Sequence, residues 1–330
     1  MGNEKIEVIA TTISGSIKDW GKVDKIVPLF RKYGREDVSL HAVDSHAEAR
    51  NLTYNLIMKG RRTLISAGGS GTFNSVLEGC IDSEIGLAEI TLGFLRKGSA
   101  DLIGKSLGMP DDIERAVEVF VTSLAENRTV KCDVIQAVSG EDDSCVRHFV
   151  GYGGAEIFGR IPFYTEHRFV KYYKGVLGQL FGDKGPFFIG AVLTVMEKTI
   201  RKKRTRWKIW VDGKLVSESM YQAMIIVNGD LGHDFPFAKS VPLGSGDFHM
   251  FAIKDLGMYK LVSQFKRVWD SSIKDQSEQW GFESYRITKE LKIEPDKEKP
   301  FPVNVDGSTM KCRCFAAFHI IDQINLISKS

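Results

Sequence analysis

The sequence predicts a two-domain chain, an α/β half built on a parallel sheet followed by a mainly β, sandwich-like half. Three observations carry this. Up to about Asn127, short apolar runs alternate with segments of helical spacing, and strand, helix, strand, helix in that order means a parallel sheet covered on both faces. From Arg128 onward the texture changes to strands and turns. A length of 330 residues exceeds the usual single domain, so two units, 1–127 and 128–330, are expected.

In the first half, strands are predicted over 6–12, 38–43, 62–66 and 89–94. Helices fall over 23–33 and 45–59, the second opened by the capping box Ser45-His46-Ala47-Glu48. After Pro110, the residues Ile113, Ala116, Val117, Phe120, Val121 and Leu124 recur at helical spacing behind Asp111 and Asp112. In the second half, strands are predicted over 129–138, 145–152, 206–211, 215–218, 221–228, 247–254 and 314–321, with Asp212-Gly213 a hairpin turn.

Two helical insertions interrupt the β half. The first, 167–200, is rich in aromatic residues and ends in the basic run Arg201-Lys202-Lys203-Arg204-Thr205-Arg206. Its plain reading is a helical excursion with a solvated basic end; its functional reading is a surface for lipid or an anionic membrane. The second, 258–269, carries an apolar stripe read as packing.

Composition narrows the function classes. With 43% apolar and 26% charged residues the chain builds ordinary cores. Its 45 basic and 42 acidic residues nearly cancel, and a net charge of +3 gives no reason to invoke nucleic acid. The polar start of the chain lacks the pattern of a signal peptide, and the longest apolar run, 186–196, is about half of what a spanning helix needs. A soluble, cytoplasmic protein, peripheral at a membrane if the 167–206 segment binds one, is the expectation. Five cysteines with no C-x-x-C pair indicate neither a disulfide framework nor a zinc site, and Cys312 and Cys314 are expected to share one face of a strand.

The most informative stretch is Ser66-Ala67-Gly68-Gly69-Ser70-Gly71-Thr72-Phe73-Asn74, a glycine turn between an apolar run and a helix. Glycines permit positive φ and close backbone approach, so successive N–H groups can converge on an anion at a helix N-terminus. The natural anion is phosphate. Gly69-x-Gly71 lacks the third small residue of a dinucleotide fingerprint, which would fall at Asn74. The stretch ending Gly104-Lys105-Ser106 fails as a Walker loop because its first glycine, Gly98, comes one residue too early.

Four further stretches join the glycine turn, and together they resemble the catalytic domain of the diacylglycerol kinase family, which includes sphingosine kinases, ceramide kinase and bacterial lipid kinases. Residues 63–76 look like the family's Gly-Gly-Asp-Gly-Thr-x-Asn-Glu-Val loop. Residues 98–110 look like its Gly-Thr-x-Asn-Asp loop and the following Leu-Gly-x-Pro. Residues 149–155 match its Gly-x-Gly-Ala strand, and Val227-Asn228-Gly229 and Val305-Asp306-Gly307 match in order. Ser14-Gly15 resembles the family's Asn-Pro-x-Ser-Gly turn, with Thr11 and Thr12 where Asn and Pro usually stand. The resemblance spans nearly the whole chain. It implies a fold like those of diacylglycerol and NAD kinases, an ATP cleft between the two domains, and a last strand that returns to the first domain.

Carried over by position, the resemblance assigns Gly68, Gly69, Ser70, Gly71 and Thr72, with Gly98 and Ser99, to the ATP phosphates, and Asn74 to the start of the supporting helix. The acidic side departs from the family. Ser70 and Ser75 replace its aspartate and glutamate, and Asp101 and Leu102 replace Asn and Asp. Ser245 and His249 replace two more aspartates, and Ser308 occupies the position of the carboxylate assigned as general base. Asp247, Asp306 and Asp101 remain as hard oxygen donors, and Asp247 is the one expected to hold Mg2+. An ATP-dependent lipid kinase, transferring the γ-phosphoryl to a diacylglycerol- or sphingoid-like alcohol, is the leading expectation. A nucleotide- or lipid-binding pseudokinase is its rival, and an NAD kinase a third reading.

Overall fold

The computed structural model describes residues 5–11, 23–96, 102–140, 145–160, 205–233, 235–269 and 277–329. The chain divides into two compact units. The first comprises Met1–Val134, Pro242–Gly244 and Ile321–Ser330, and the second Ile135–Val241 and Ser245–Ile320.

In the first unit the elements follow in the order β1 (Ile6–Thr11), α1 (Ile26–Lys32), β2 (Val38–Val43), α2 (His46–Met58), β3 (Thr63–Gly68), α3 (Ser70–Asp82), β4 (Thr91–Arg96), α4 (Leu102–Ser106) and α5 (Ile113–Ala125). The strands pair in parallel, β2 beside β1, β1 beside β3, β3 beside β4. β1 and β3 are buried along their whole length, as expected of a parallel sheet covered on both faces, with Glu7, Thr11, Thr63 and Ser66 as buried polar positions among apolar residues. Two helix starts form as their sequences dictate. The Ser45 hydroxyl accepts the Glu48 N–H at 3.0 Å, while the Glu48 carboxylate reaches back one residue further than expected, to the N–H of Asp44 at 2.8 Å. Asp112 caps α5 by accepting the Arg115 N–H at 3.0 Å. Gly79 lets α3 lie close on α2, since a Cβ there would stand 2.5 Å from the Arg50 carbonyl oxygen.

The second half continues with β5 (Thr129–Ser139), β6 (Val146–Phe149), β7 (Tyr152–Glu156), β8 (Arg206–Val211), β9 (Lys214–Val227), β10 (Phe248–Lys254), α6 (Met258–Trp269), β11 (Phe282–Ile287), β12 (Leu291–Pro295), β13 (Phe301–Val305), β14 (Ser308–Cys312) and β15 (Ala316–Ile327). The predicted strands 215–218 and 221–228 are one strand, β9. Its first part pairs with β8 across the Asp212-Gly213 turn, both residues of which have positive φ. Its last part lies between β7 and β10. One layer of the unit therefore runs β14-β13-β7-β9-β10-β11, and the other joins β8, β12 and the start of β15. Trp207, Tyr221, Met224, Phe248, Met250, Leu291, Val303 and Phe318 fill one core with residues of both layers. Beyond Ile320 the same strand β15 belongs to the first unit, where Asn325 and Leu326 pair in parallel with Thr91 and Leu92 of β4.

Cys312 ends β14 and is buried, whereas Cys314 lies beyond the strand and is half-buried, so the two do not share a strand face. Among the described residues no helix is long and apolar enough to cross a membrane. The expected insertion 167–200 and the basic residues Arg201 to Arg204 lie outside the described residues.

Candidate functional site

In the first unit the strand order β2-β1-β3-β4 reverses direction between β1 and β3, and the crevice beyond the carboxyl ends of such strands is where open α/β sheets bind ligands. The glycine turn is at that place. β3 ends at Gly68, Gly69 is the N-cap of α3, and Ser70 is already helical. No side chain caps this helix, and its first turn holds no acidic residue. An uncapped, acid-free helix N-terminus offers backbone N–H donors and the positive end of the helix dipole to an anion.

The glycines act differently from the sequence expectation. None of Gly68, Gly69 and Gly71 has positive φ, and Gly69 is extended at φ −95° and ψ −174°. Gly71 instead lies against the side chain of a neighbour distant in sequence, which would have to move aside for a larger residue. A Cβ there would stand 2.8 Å from Cε1 and 2.9 Å from Nε2 of His46, the exposed first residue of α2. A Cβ at Gly69 would meet nothing within 4 Å, so the space beside its backbone is open. The Thr72 side chain is fully buried and its hydroxyl lies 2.6 Å from that of Thr11 at the end of β1. Ser70 and Asn74 are half-buried, and Ser75 donates to the Gly71 carbonyl at 2.8 Å. Gly98, Ser99, Asp101 and the Ser14-Gly15 pair lie outside the described residues.

In the second unit three motifs singled out in the sequence come together. Asp306, between β13 and β14, is fully buried at φ +43°. Its carboxylate accepts the N–H groups of Val150 at 3.0 Å, Gly151 at 3.3 Å and Tyr152 at 2.8 Å. Asn228 donates from its side chain to the Val150 carbonyl at 2.8 Å and from its backbone to that of Gly151 at 3.0 Å. Burial pushes the Asp306 carboxyl up to about 6, against the lowering effect of the three N–H donors. Gly153 is needed for the close approach of β13, since a Cβ would meet the Asn304 carbonyl oxygen at 2.9 Å. The Gly-x-Gly-Ala, Asn-Gly and Asp-Gly stretches thus form one buried hydrogen-bonded junction.

The positions of the missing acids border it. Register places Val305 opposite Gly153, Tyr152 opposite Val227, Val227 opposite His249, and His249 opposite Arg286. Ser308 starts β14 beside Val305, and Ser245 precedes β10. Asp247 is buried, and both its oxygens are engaged. Oδ1 accepts the Ser245 hydroxyl at 2.7 Å, and Oδ2 pairs with the Arg286 guanidinium. Burial, with Arg286 adding to it, holds His249 below the ordinary histidine value despite the Asp247 carboxylate.

In the second unit the described donors do not fit a protein-held magnesium ion: Ser245 and Ser308 supply neutral oxygens, Asp247 is committed to a cation, and Asp306 is enclosed by N–H donors. Among the described residues no group of three or more His, Cys, Asp or Glu side chains is placed to hold a metal. Asp247, the residue expected to hold Mg2+, is ion-paired with Arg286. Arg286 and His46 carry no signal of their own in the sequence, because each acts through a partner many residues away.

Residues 5–137 match the family model described as the diacylglycerol kinase catalytic domain. A curated diacylglycerol kinase of Bacillus subtilis (strain 168) is 23% identical over 284 residues, 86% of this chain and 82% of that relative. A solved structure of a diacylglycerol kinase from Bacillus anthracis str. Sterne is similar in fold, with TM-score 0.64 and 18% identity over 98% of this chain and 97% of that one. An NAD kinase from Archaeoglobus fulgidus, solved in complex with ATP, aligns with TM-score 0.50 and 9% identity over 98% of this chain and 94% of that one. These likenesses carry the two-domain fold.

Proposed function

We propose, from the match of residues 5–137 to the diacylglycerol kinase catalytic-domain model, that this chain binds ATP and belongs functionally with the lipid kinases, passing the γ-phosphoryl group to a lipid alcohol. The carrying observation is the uncapped, acid-free N-terminus of α3 at the reversal of strand order. Phosphoryl transfer is mostly a matter of positioning and of stabilising charge on the transferred group, and the backbone N–H groups at Gly69 to Gly71 supply both for the ATP phosphates. Magnesium arriving with ATP would add charge neutralisation. Among the described residues no cage for it is formed.

A second reading, a nucleotide-binding pseudokinase, is favoured by the pairing of Asp247 with Arg286 and by serine at positions 70, 245 and 308. A general base contributes about 10²–10⁴-fold, so its loss slows transfer without removing nucleotide binding. The NAD kinase reading rests on fold likeness alone.

Calorimetric titration with ATP, with and without magnesium, tests the binding claim on wild type and Gly69→Val. Labelled-phosphate transfer to diacylglycerol, sphingosine and NAD then separates the readings. Binding lost in a folded Gly69→Val protein, with slow transfer to a lipid alcohol, supports the proposal. Absence of ATP affinity in the wild type refutes it, and binding without transfer leaves the pseudokinase.

A further inference from the structure

We propose that Cys145 and Cys312 are a peroxide-responsive thiol pair that closes to a disulfide and clamps β6 to β14. Cys80 and Cys132 belong to the first unit and are buried there, while Cys145, Cys312 and Cys314 belong to the second. Backbone pairing sets Cys145 in place. β5 and β6 pair from Ile135 opposite Phe149 to Val138 opposite Val146, and the Ser139 N–H donates to the Cys145 carbonyl at 3.2 Å, which continues the pairing by one residue. Residues opposite one another in an antiparallel pair carry their side chains on one face, with Cβ atoms about 4.5–5.5 Å apart. Ile135 and Ala137 enter the core that also holds Cys312, and Ser139, the next buried position in the alternation of β5, faces the same way. Cys145 packs against that core.

Ser139 connects the two cysteines. Its buried hydroxyl is hydrogen-bonded to the Cys312 thiol, and its backbone holds Cys145. The chain just beyond each is fixed as well, since the Gly140 N–H donates to the Phe315 carbonyl at 2.9 Å and a Cβ on Gly140 would stand 2.5 Å from the Phe315 ring. The same two stretches of chain meet again at their other ends, where the Asp306 carboxylate gathers the N–H groups of Val150, Gly151 and Tyr152. Residues 145–152 and 306–312 therefore run side by side in opposite senses, with Val150 level with Asp306 and Cys145 level with Cys312. One end of this pair of stretches is held by the carboxylate, and the other carries two thiols.

Access sets the order of events. Cys145 is half-buried and Cys312 is buried, and burial pushes the Cys312 thiol up to about 12, with Cys145 adding to the rise and the Ser139 hydroxyl opposing it. A peroxide therefore meets Cys145 first. Its sulfur attacks one oxygen of hydrogen peroxide, the O–O bond breaks, and a sulfenic acid and one water result. The Cys312 sulfur then attacks the Cys145 sulfur, the S–O bond breaks, and the hydroxide leaves with the Cys312 proton as a second water. Two thiols give up two electrons in all, and one peroxide takes them. Ser139, which touches the Cys312 sulfur, is a positioning residue for the second step. Packing alone accounts for Cys312 as a small apolar residue, but it gives no role to a second, half-buried thiol brought to the same place. This inference goes beyond the nucleotide reading and stands independently of it.

The test is mass-spectrometric peptide mapping of the full chain after treatment with hydrogen peroxide, with remaining thiols blocked before unfolding. Wild type should yield peptides linked through Cys145 and Cys312, and dithiothreitol should separate them. Cys145→Ser should abolish the link. Cys312→Ala should leave Cys145 as a sulfenic acid that dimedone labels. Ser139→Ala keeps both sulfurs and should slow linking about tenfold, the worth of one hydrogen bond, while dimedone labelling of Cys145 proceeds at the wild-type rate. A purely structural role for Ser139 would not produce that split. The urea midpoint should rise on oxidation of wild type and stay constant in Cys145→Ser, because a cross-link constrains the unfolded chain. No linked peptides from wild type, a link to Cys314 in place of Cys312, a link between two chains, or a link that forms only in urea-unfolded protein would overturn the inference. Linking by Ser139→Ala at the wild-type rate would remove the positioning role.

Discussion

The hydroxyls of Thr11 and Thr72 lie 2.6 Å apart in the interior, joining the end of β1 to the first turn of α3. The bond ties β1, one of the two strands that flank the strand-order reversal, to the helix whose N-terminus faces it. Thr72 therefore holds the turn in shape from below through its hydroxyl.

Thr72→Val keeps the shape and removes the hydroxyl. It should lower the unfolding free energy by about 1–3 kcal/mol, the cost of leaving a buried hydroxyl poorly satisfied. Urea denaturation checks this. Thr11→Val added to Thr72→Val should cost less than the sum of the two single changes, because partners in one hydrogen bond are not independent.

Gly71→Ala should be tolerated by the fold only if the His46 ring turns away, since the new methyl would stand within 2.8 Å of it. His46→Ala combined with Gly71→Ala should restore the unfolding midpoint to within about 0.5 kcal/mol of wild type. ATP affinity should remain reduced in both proteins if the α carbon of Gly71 faces the phosphates. Recovery of affinity along with stability would make His46 the whole reason for this glycine.

Asp306 gives a pH prediction. Its carboxyl is held at about 6 in the fold, above its ordinary 3.8, so the folded protein binds a proton between these values that the unfolded chain does not. The stabilising contribution is full below about pH 3.8 and is lost as pH rises through about 6. Asp306→Asn has no such titration. The difference in unfolding free energy between wild type and Asp306→Asn should shift in favour of wild type by about 2 kcal/mol between pH 7 and pH 4.5. Urea titrations at the two pH values measure it, and a constant difference would refute the assignment.

Restoring acids should reveal what the serines cost. Ser70→Asp, Ser245→Asp and Ser308→Glu together should raise magnesium-dependent transfer to a lipid alcohol by about 10²-fold or more, while each alone does little, because groups that act as a unit are non-additive. Fast transfer by the wild type would mean that the chain works without these carboxylates.

Local signals are legible in the sequence and distant ones are not. The Ser45 cap, the Asp112 cap and the Asp212-Gly213 turn depend on residues a few positions apart, and each forms. Strands β11 to β14 escape a sequence reading for local reasons too. Pro302 inside β13 argues against a strand, and β12 offers only Leu291 and Ile293 as alternating apolar residues. The motif stretches are visible as a set, but Asp306 reads as a turn aspartate. It is a turn residue by its φ and also the acceptor that gathers Val150 to Tyr152, which only the pairing of β7 with β13 brings about. The Asp247 to Arg286 pair likewise depends on the β10 to β11 register.

Strand β15 imposes an order of events on the growing polypeptide. Its last residues complete the hydrogen bonding of β4 in the first unit, yet the whole of the second unit is translated before they emerge. The first unit therefore leaves the ribosome with one sheet edge bare, and its closure must wait until residues 321–329 have emerged. Such a late, long-range pairing is slow to form and exposes an unpaired strand while it is pending. A truncation that removes residues 321–329 would leave that vulnerability permanent, with aggregation of the first unit as its visible result.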